Sequence, residues 1–275
     1  MATEKIGPST TLRTGFIGLG SQGGPMAHRI VDAGMDLTVW ARRPEVLAPY
    51  LDKGAKAAGS VTELGKLCDH VGICVVNDSD VDEICAQLIP VMRPGSRIAI
   101  HSTILPESCE RLEAECAARG IQLIDAPVSG GSPAAEAGTL TVMCGASAEA
   151  FAAAKPVFET FGKLIVLLGK PGAGQKAKII NNALLSAQLG LAHHALAAGE
   201  ALGIDRAALS ELVQQSSGRS FGFEIYSRMP QPLAPWMGGP LLVKDMRLLQ
   251  AILPGSTDVD KLADAAADFF TGTAN

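Results

Sequence analysis

From Gly15 onward short β-rich runs alternate with helical ones, and near Gly172 the rhythm stops. The runs FIGLG, LTVWA, VGICVV, SRIAIHS and IQLIDAPV are apolar and rich in β-branched residues. Between them lie GPMAHRIVDAG, PEVLAPYLDKG, SDVDEICAQLIPVM and PESCERLEAECAARG, which read as helices. Such alternation predicts βαβ units, whose parallel strands are covered by helices on both faces. The rhythm continues through LTVMCGA, SAEAFAAAKPVFETFG and KLIVLLG. Beyond it only helical patterns occur, predicted over 174–202, 206–216, 222–228, 241–252 and 258–270. The expected fold is α/β, a doubly wound, mainly parallel sheet followed by an all-α helical domain, divided into 13–170 and 171–275.

The first strand runs into GFIGLGSQGGPMAHRI, where Gly18, Gly20 and Gly23 form GxGxxG ahead of an amphipathic helix. In a strand-turn-helix context the first glycine permits the tight turn and the second lets a pyrophosphate approach the backbone. The third lets helix and strand pack closely, and the helix N-terminus faces the anion. The first domain is therefore expected to be a Rossmann-type dinucleotide-binding domain, with Gly18, Leu19, Gly20, Ser21, Gln22 and Gly23 against the cofactor. NAD enzymes place an acid about 20 residues beyond these glycines, at the end of the second strand, to hold the ribose 2′-hydroxyl. Here the sequence is VWARRPE, with Arg42 and Arg43 at that place. Guanidiniums bind a 2′-phosphate that a carboxylate would repel, so NADP is favoured and NAD stays possible; exposed surface charge is the competing reading.

Composition narrows the function. A net charge of -5 argues against a nucleic-acid or anionic-membrane surface. The six cysteines form no CxxC pair and fall mostly in apolar or helical runs, as reduced core thiols do. No HExxH or carboxylate cluster suggests a metal. The start MATEKIGPSTTLRT has no apolar core or cleavage pattern, and 179–199, the longest stretch free of Asp, Glu, Lys and Arg, is too polar to span a bilayer. A cytoplasmic protein is expected.

Two later segments offer chemistry. DAPVSGGSPAAEAGTL presents Ser129, Gly130 and Gly131, either an anion-binding nest of backbone N–H groups or a flexible connector. GAGQKAKIINNAL opens the long apolar helix with Lys178 and Asn182 four residues apart, on one face. A lysine beside an apolar core can exchange a proton, although a lysine in the first turns of a helix is more often simply solvated. Lys176 is expected to be solvated.

Taken in order, GFIGLGSQGGPMA, VVND, STILP, DAPVSGG, GAGQKAKIINN and KDMRL resemble the β-hydroxyacid dehydrogenase family, the relatives of 3-hydroxyisobutyrate dehydrogenase. The resemblance covers roughly residues 15–249. It implies Lys178 as the general acid and base, Asn182 orienting the substrate, and Ser129, Gly130 and Gly131 holding its carboxylate or an equivalent anion. It also implies Val76, Asn77 and Thr103 along the cofactor and Lys244 approaching it from the helical domain. The activity implied is NAD(P)-dependent interconversion of a small anionic 3-hydroxy acid, or a related hydroxy compound, and its carbonyl form. Imine reduction on the same fold is an alternative, but such relatives tend to lack a lysine at position 178. A binding-only protein is the other, and it would have no use for Lys178 in register with Asn182.

Only thirty residues follow Asp245, so the C-terminal part is expected to be shortened or rearranged relative to the family. SFGFEIYSRM and Trp236 place aromatics ahead of the KDMRL helix in a chain with only 4% aromatic residues, as pocket lining or as core. His193 and His194, far along the long helix, are expected to pack in a core or an interface. The apolar surface of that helix exceeds what a small helical domain hides, which predicts a homodimer or homotetramer through the helical half.

Overall fold

A computed structural model describes residues 12–230 and 238–273. Trp236 lies outside the described residues. The chain divides into two compact units, the first ending at Lys178 and the second beginning at Ile179.

In the first unit the elements follow in the order β1 (Arg13–Ile17), α1 (Gly23–Asp32), β2 (Asp36–Trp40), α2 (Ala48–Leu51), β3 (Lys56–Ala57), α3 (Val61–Leu67), β4 (His70–Ile73) and α4 (Asp78–Leu88). Next come β5 (Arg97–Ile100), α5 (Pro106–Ala117), β6 (Gln122–Asp125), β7 (Val128–Ser129), α6 (Gly131–Ala137), β8 (Leu140–Gly145), α7 (Ala148–Phe158) and β9 (Gly162–Gly169). The strands form one sheet in the order β3-β2-β1-β4-β5-β6-β8-β7, with β9 paired to β8. From β3 to β6 every pairing is parallel; β8 runs antiparallel to β6 and β7 and parallel to β9. Strand order reverses at β1, where the chain goes outward to β2 and β3 and returns to β4. That reversal opens the crevice in which doubly wound sheets bind ligands.

Successive strand residues face opposite sides of a sheet, so a sheet covered twice needs apolar residues at both parities. Phe16 and Ile17, neighbours in β1, enter different cores. Phe16 packs with Met26, Ile30, Val39 and Phe158, whereas Ile17 packs with Leu64, Val71, Ile73 and Leu88. The predicted strands are all present. The segment 128–137, left open as a nest or connector, is the short strand β7 and the helix α6.

The long helix α8 (Ala173–Ala201) begins in the first unit and continues into the second. The second unit adds α9 (Arg206–Gln214), α10 (Phe221–Ser227), α11 (Gly239–Ile252) and α12 (Thr257–Thr273). A seventeen-residue helix therefore does follow the KDMRL helix, after the break at 253–256. Phe223 and Tyr226 are buried with Leu189, Leu196 and Phe269, which makes them core, while Phe221 is 62% exposed. His193 Nδ1 lies 2.7 Å from the Tyr226 hydroxyl, and His194 stands 3.3 Å from Asp268. His193 is half-buried against Tyr226, as core packing expects, whereas His194 is exposed and meets Asp268 at the surface. Gly190 lets α8 and α12 touch, since a methyl there would collide with the Ala265 carbonyl oxygen.

Candidate functional site

Each segment singled out in the first unit follows the carboxyl end of a strand. The glycine turn follows β1, Arg42 and Arg43 follow β2, Val76 and Asn77 follow β4, Thr103 follows β5, and Ser129 to Gly131 come after β6. A parallel sheet therefore gathers along one edge residues that lie far apart in sequence, from Gly18 to Gly131.

The glycine turn passes a direct test for a dinucleotide. Gly18 has φ +96°, a conformation that side chains resist, and a methyl there would strike the Cys74 carbonyl oxygen. A methyl at Gly23 would strike the Gly18 carbonyl oxygen, so α1 sits directly on the turn. Around Gly20, by contrast, nothing lies within 4 Å of where a Cβ would stand. Two glycines are thus required by the protein's own packing, while the middle one leaves open space at the N-terminus of α1. That is the cradle a pyrophosphate needs.

Cross-strand hydrogen bonds fix the neighbouring loops. The Val75 N–H donates to Ser102 Oγ at 2.8 Å, joining the ends of β4 and β5. Asn77 caps α4, its Oδ1 accepting from the Asp80 N–H at 2.9 Å and from Ser79 Oγ at 2.8 Å. Asn77 therefore has a structural role as a cap, beyond lining the edge; an Asn opening an acidic helix is the sequence signal for it. Val76 beside it is 67% exposed. Ser132 Oγ donates to the Ser21 carbonyl at 2.6 Å, so the start of α6, with Gly130 and Gly131 at φ +129° and +68°, is tied to the glycine turn.

Lys178 is half-buried in the second turn of α8, and two buried residues that the sequence did not single out anchor the first turn. Asp125, the last residue of β6, accepts from the Gly172 N–H at 2.8 Å and from the Gln175 N–H at 2.7 Å. Burial pushes its carboxyl up to about 6, against the pull of those N–H donors. Gln175, fully buried, accepts from the Ile104 N–H at 3.1 Å and donates to the Ser102 carbonyl at 2.8 Å. Thr103 lies between those two partners. The helix carrying Lys178 is thus bonded to the chain at the carboxyl ends of β5 and β6. Lys176, one residue past Gln175, is exposed and pairs with Glu110 at 3.0 Å.

In the second unit Asn182 is buried on α8, four residues beyond Lys178. Its Nδ2 donates to Asp245 Oδ2 at 2.6 Å, and its Oδ1 accepts from Asn181 Nδ2 at 3.1 Å. Asp245 is 2% exposed on α11, and the ammonium of Lys244 stands 3.7 Å from its Oδ1. Asp245 thereby fixes the rotamer of Asn182.

At the far side of the edge Arg42 is already engaged. Its Nη2 donates to Asp80 Oδ1 at 2.7 Å and to Glu83 Oε2 at 3.2 Å, and the bond to Asp80 raises its already high pKa. Arg43 is exposed. Among the described residues no group of three or more His, Cys, Asp and Glu could hold a metal ion.

Comparison with known proteins agrees with this geometry. Residues 13–169 match the NAD binding domain of 6-phosphogluconate dehydrogenase, and 172–259 match the NAD-binding region of NADP-dependent 3-hydroxyisobutyrate dehydrogenase. The 3-hydroxyisobutyrate dehydrogenase of Pseudomonas aeruginosa is 37% identical over 237 residues, covering 82% of this chain and 77% of that protein. The NAD-dependent L-serine dehydrogenase of the same organism is 34% identical over 267 residues, 93% of this chain and 90% of that one. Among solved structures, the Mycobacterium tuberculosis 3-hydroxyisobutyrate dehydrogenase with L-serine superposes with a TM-score of 0.85 at 26% identity, covering 96% and 94% of the two chains. With the glycine cradle, the strand order and these matches together, the chain belongs to the β-hydroxyacid dehydrogenase family of NAD(P)-dependent oxidoreductases.

Proposed function

We propose that this enzyme interconverts a small anionic 3-hydroxy acid, or a closely related hydroxy compound, and its carbonyl form, with Lys178 as the general acid and base. The observation that carries the assignment is the anchoring of α8. Asp125 and Gln175 lock its first turn onto the loops after β5 and β6, which holds the Lys178 backbone one turn further along. A proton-transfer group must be positioned before its pKa matters. Bound on the glycine cradle, the nicotinamide supplies or accepts the hydride. Lys178 gives its proton to the carbonyl oxygen in reduction and takes it from the hydroxyl in oxidation. Asn182, its amide held by Asp245, orients the substrate beside Lys178, and the Ser129-Gly130-Gly131 segment receives the carboxylate on backbone N–H groups.

Residues 13–170 are assigned to dinucleotide binding and 171–275 to substrate binding and oligomerisation. NADP is the favoured cofactor because Arg42 and Arg43, rather than an acid, follow β2. Val76, Asn77 and Thr103 line it, and Lys244 approaches it. Six free cysteines, five of them buried, fit the reducing cytoplasm, and no described helix is long and apolar enough to cross a membrane. Ile180, Leu184 and Leu191, each at least half exposed on α8, supply an apolar face for a homodimer or homotetramer.

Lys178→Met tests the mechanism. Turnover should fall by about 100-fold or more while NADPH affinity stays within about twofold. Unchanged turnover, measured by absorbance of the reduced nicotinamide on a panel of hydroxy acids, would refute it.

A further inference from the structure

The ion pair at Arg42 has a position that gives it a function. Arg42 stands two residues beyond β2, and Asp80 lies in the first turn of α4, just after β4. In the sheet β1 separates these two strands. The bridge from Arg42 to Asp80 and Glu83 therefore crosses above the carboxyl end of β1, beside the glycine turn and at the reversal of strand order. A dinucleotide lying along that edge would put its adenosine ribose in this neighbourhood.

We infer that Asp80 and Glu83 are cofactor-selectivity residues, whose carboxylates hold Arg42 and so reduce the preference of the enzyme for NADPH over NADH. The inference deepens the NADP assignment and rests on it. A 2′-phosphate carries about two negative charges at neutral pH and is the one part of the cofactor that needs a guanidinium. To take Arg42 it must displace two carboxylates at 2.7 and 3.2 Å, and it then sits near both of them as a like charge. A ribose 2′-hydroxyl faces neither cost, so NADH binds with the bridge intact. Asp80 is less exposed than its partners, with 19% of its side chain accessible against 60% for Arg42 and 64% for Glu83, and it holds the shorter bond. It should dominate. Its side chain is not needed by the α4 cap, which uses the Asp80 backbone N–H.

The test is direct titration of NADPH and NADH, followed by nicotinamide fluorescence, on the full chain carrying Asp80→Asn, Glu83→Gln, Arg42→Met, or Arg42→Met with Asp80→Asn. Exposed ion pairs are modest, so Asp80→Asn should tighten NADPH about threefold at low salt and leave NADH within error. Glu83→Gln should act in the same direction and less strongly, and it provides a second reading should Asp80→Asn disturb α4. With Arg42 already replaced, Asp80→Asn should lose the part of its effect that comes from freeing the guanidinium and keep only the relief of like-charge repulsion, so its effect on the ratio should shrink. If Arg42→Met weakens NADPH selectively but neither acid substitution moves the ratio, the inference falls and the NADP assignment stands. If Arg42→Met weakens both cofactors equally, the assignment falls and the inference with it. A merely structural bridge would shift stability or both affinities together, never their ratio.

Discussion

Asp125→Asn should change how stability depends on pH, and the structure sets both sign and size. The Asp125 side chain is fully buried at the end of β6, and its two oxygens accept the Gly172 and Gln175 N–H groups at 2.8 and 2.7 Å. Burial disfavours the charge more than those donors favour it, so the folded chain holds the proton up to about pH 6, against an ordinary value of 3.8. The folded state binds more protons than the unfolded state between these values. Stability present below pH 3.8 is therefore lost as the pH rises through about 6. At about 1.4 kcal/mol per pH unit the loss is about 3 kcal/mol. Asparagine cannot ionise, and its NH2 group cannot accept, so one of the two backbone N–H groups loses its partner at a cost that does not change with pH. Whatever the substitution costs at pH 4, the variant should gain about 3 kcal/mol relative to the parent by pH 7.5. Urea unfolding of both proteins from pH 4 to 8, followed by circular dichroism, measures the difference directly, because other titrating groups cancel. Curves that stay parallel within about 0.5 kcal/mol would show that Asp125 is not held as described.

Two further outcomes are expected. Gly18→Ala forces a methyl against the Cys74 carbonyl at φ +96°, which should cost roughly 1–3 kcal/mol of stability and weaken both nicotinamide cofactors by about tenfold or more; unchanged NADH and NADPH titrations would contradict the cradle. Sedimentation velocity should give a dimer or tetramer, and Ile180→Glu with Leu184→Glu on the exposed face of α8 should shift it toward monomer; a parent protein that sediments as a monomer would remove the oligomer assignment.

The sheet and the long helices were legible because their signals are local. The helix predicted over 174–202 is Ala173–Ala201, and that predicted over 241–252 is Gly239–Ile252. The two-residue strands β3 and β7 left no periodicity to read, and α6 hid inside a glycine-rich run that looked like a loop. At the candidate site the glycine turn was readable because its spacing is itself the mechanism. Asp125 and Gln175 were not, since what they do depends on partners 47 to 73 residues away. The same holds for Arg42: two adjacent arginines could be read as a phosphate site, but only the fold brings Asp80 and Glu83 to one of them.

The buried side chain of Gln175 also bears on how such modules can be cut and recombined. The change of rhythm in the sequence invites a break near residue 170, and the two matched family segments part between 169 and 172. A fragment ending there would lose the plug that satisfies the Ile104 N–H and the Ser102 carbonyl, and would leave Asp125 buried without the two N–H groups it accepts. For swapping the nucleotide half onto another helical partner, the permissible crossover lies beyond Lys178, inside a continuous helix. The unit of inheritance here is the sheet together with the first turns of α8, and grafts that respect it keep Lys178 on its anchored turn.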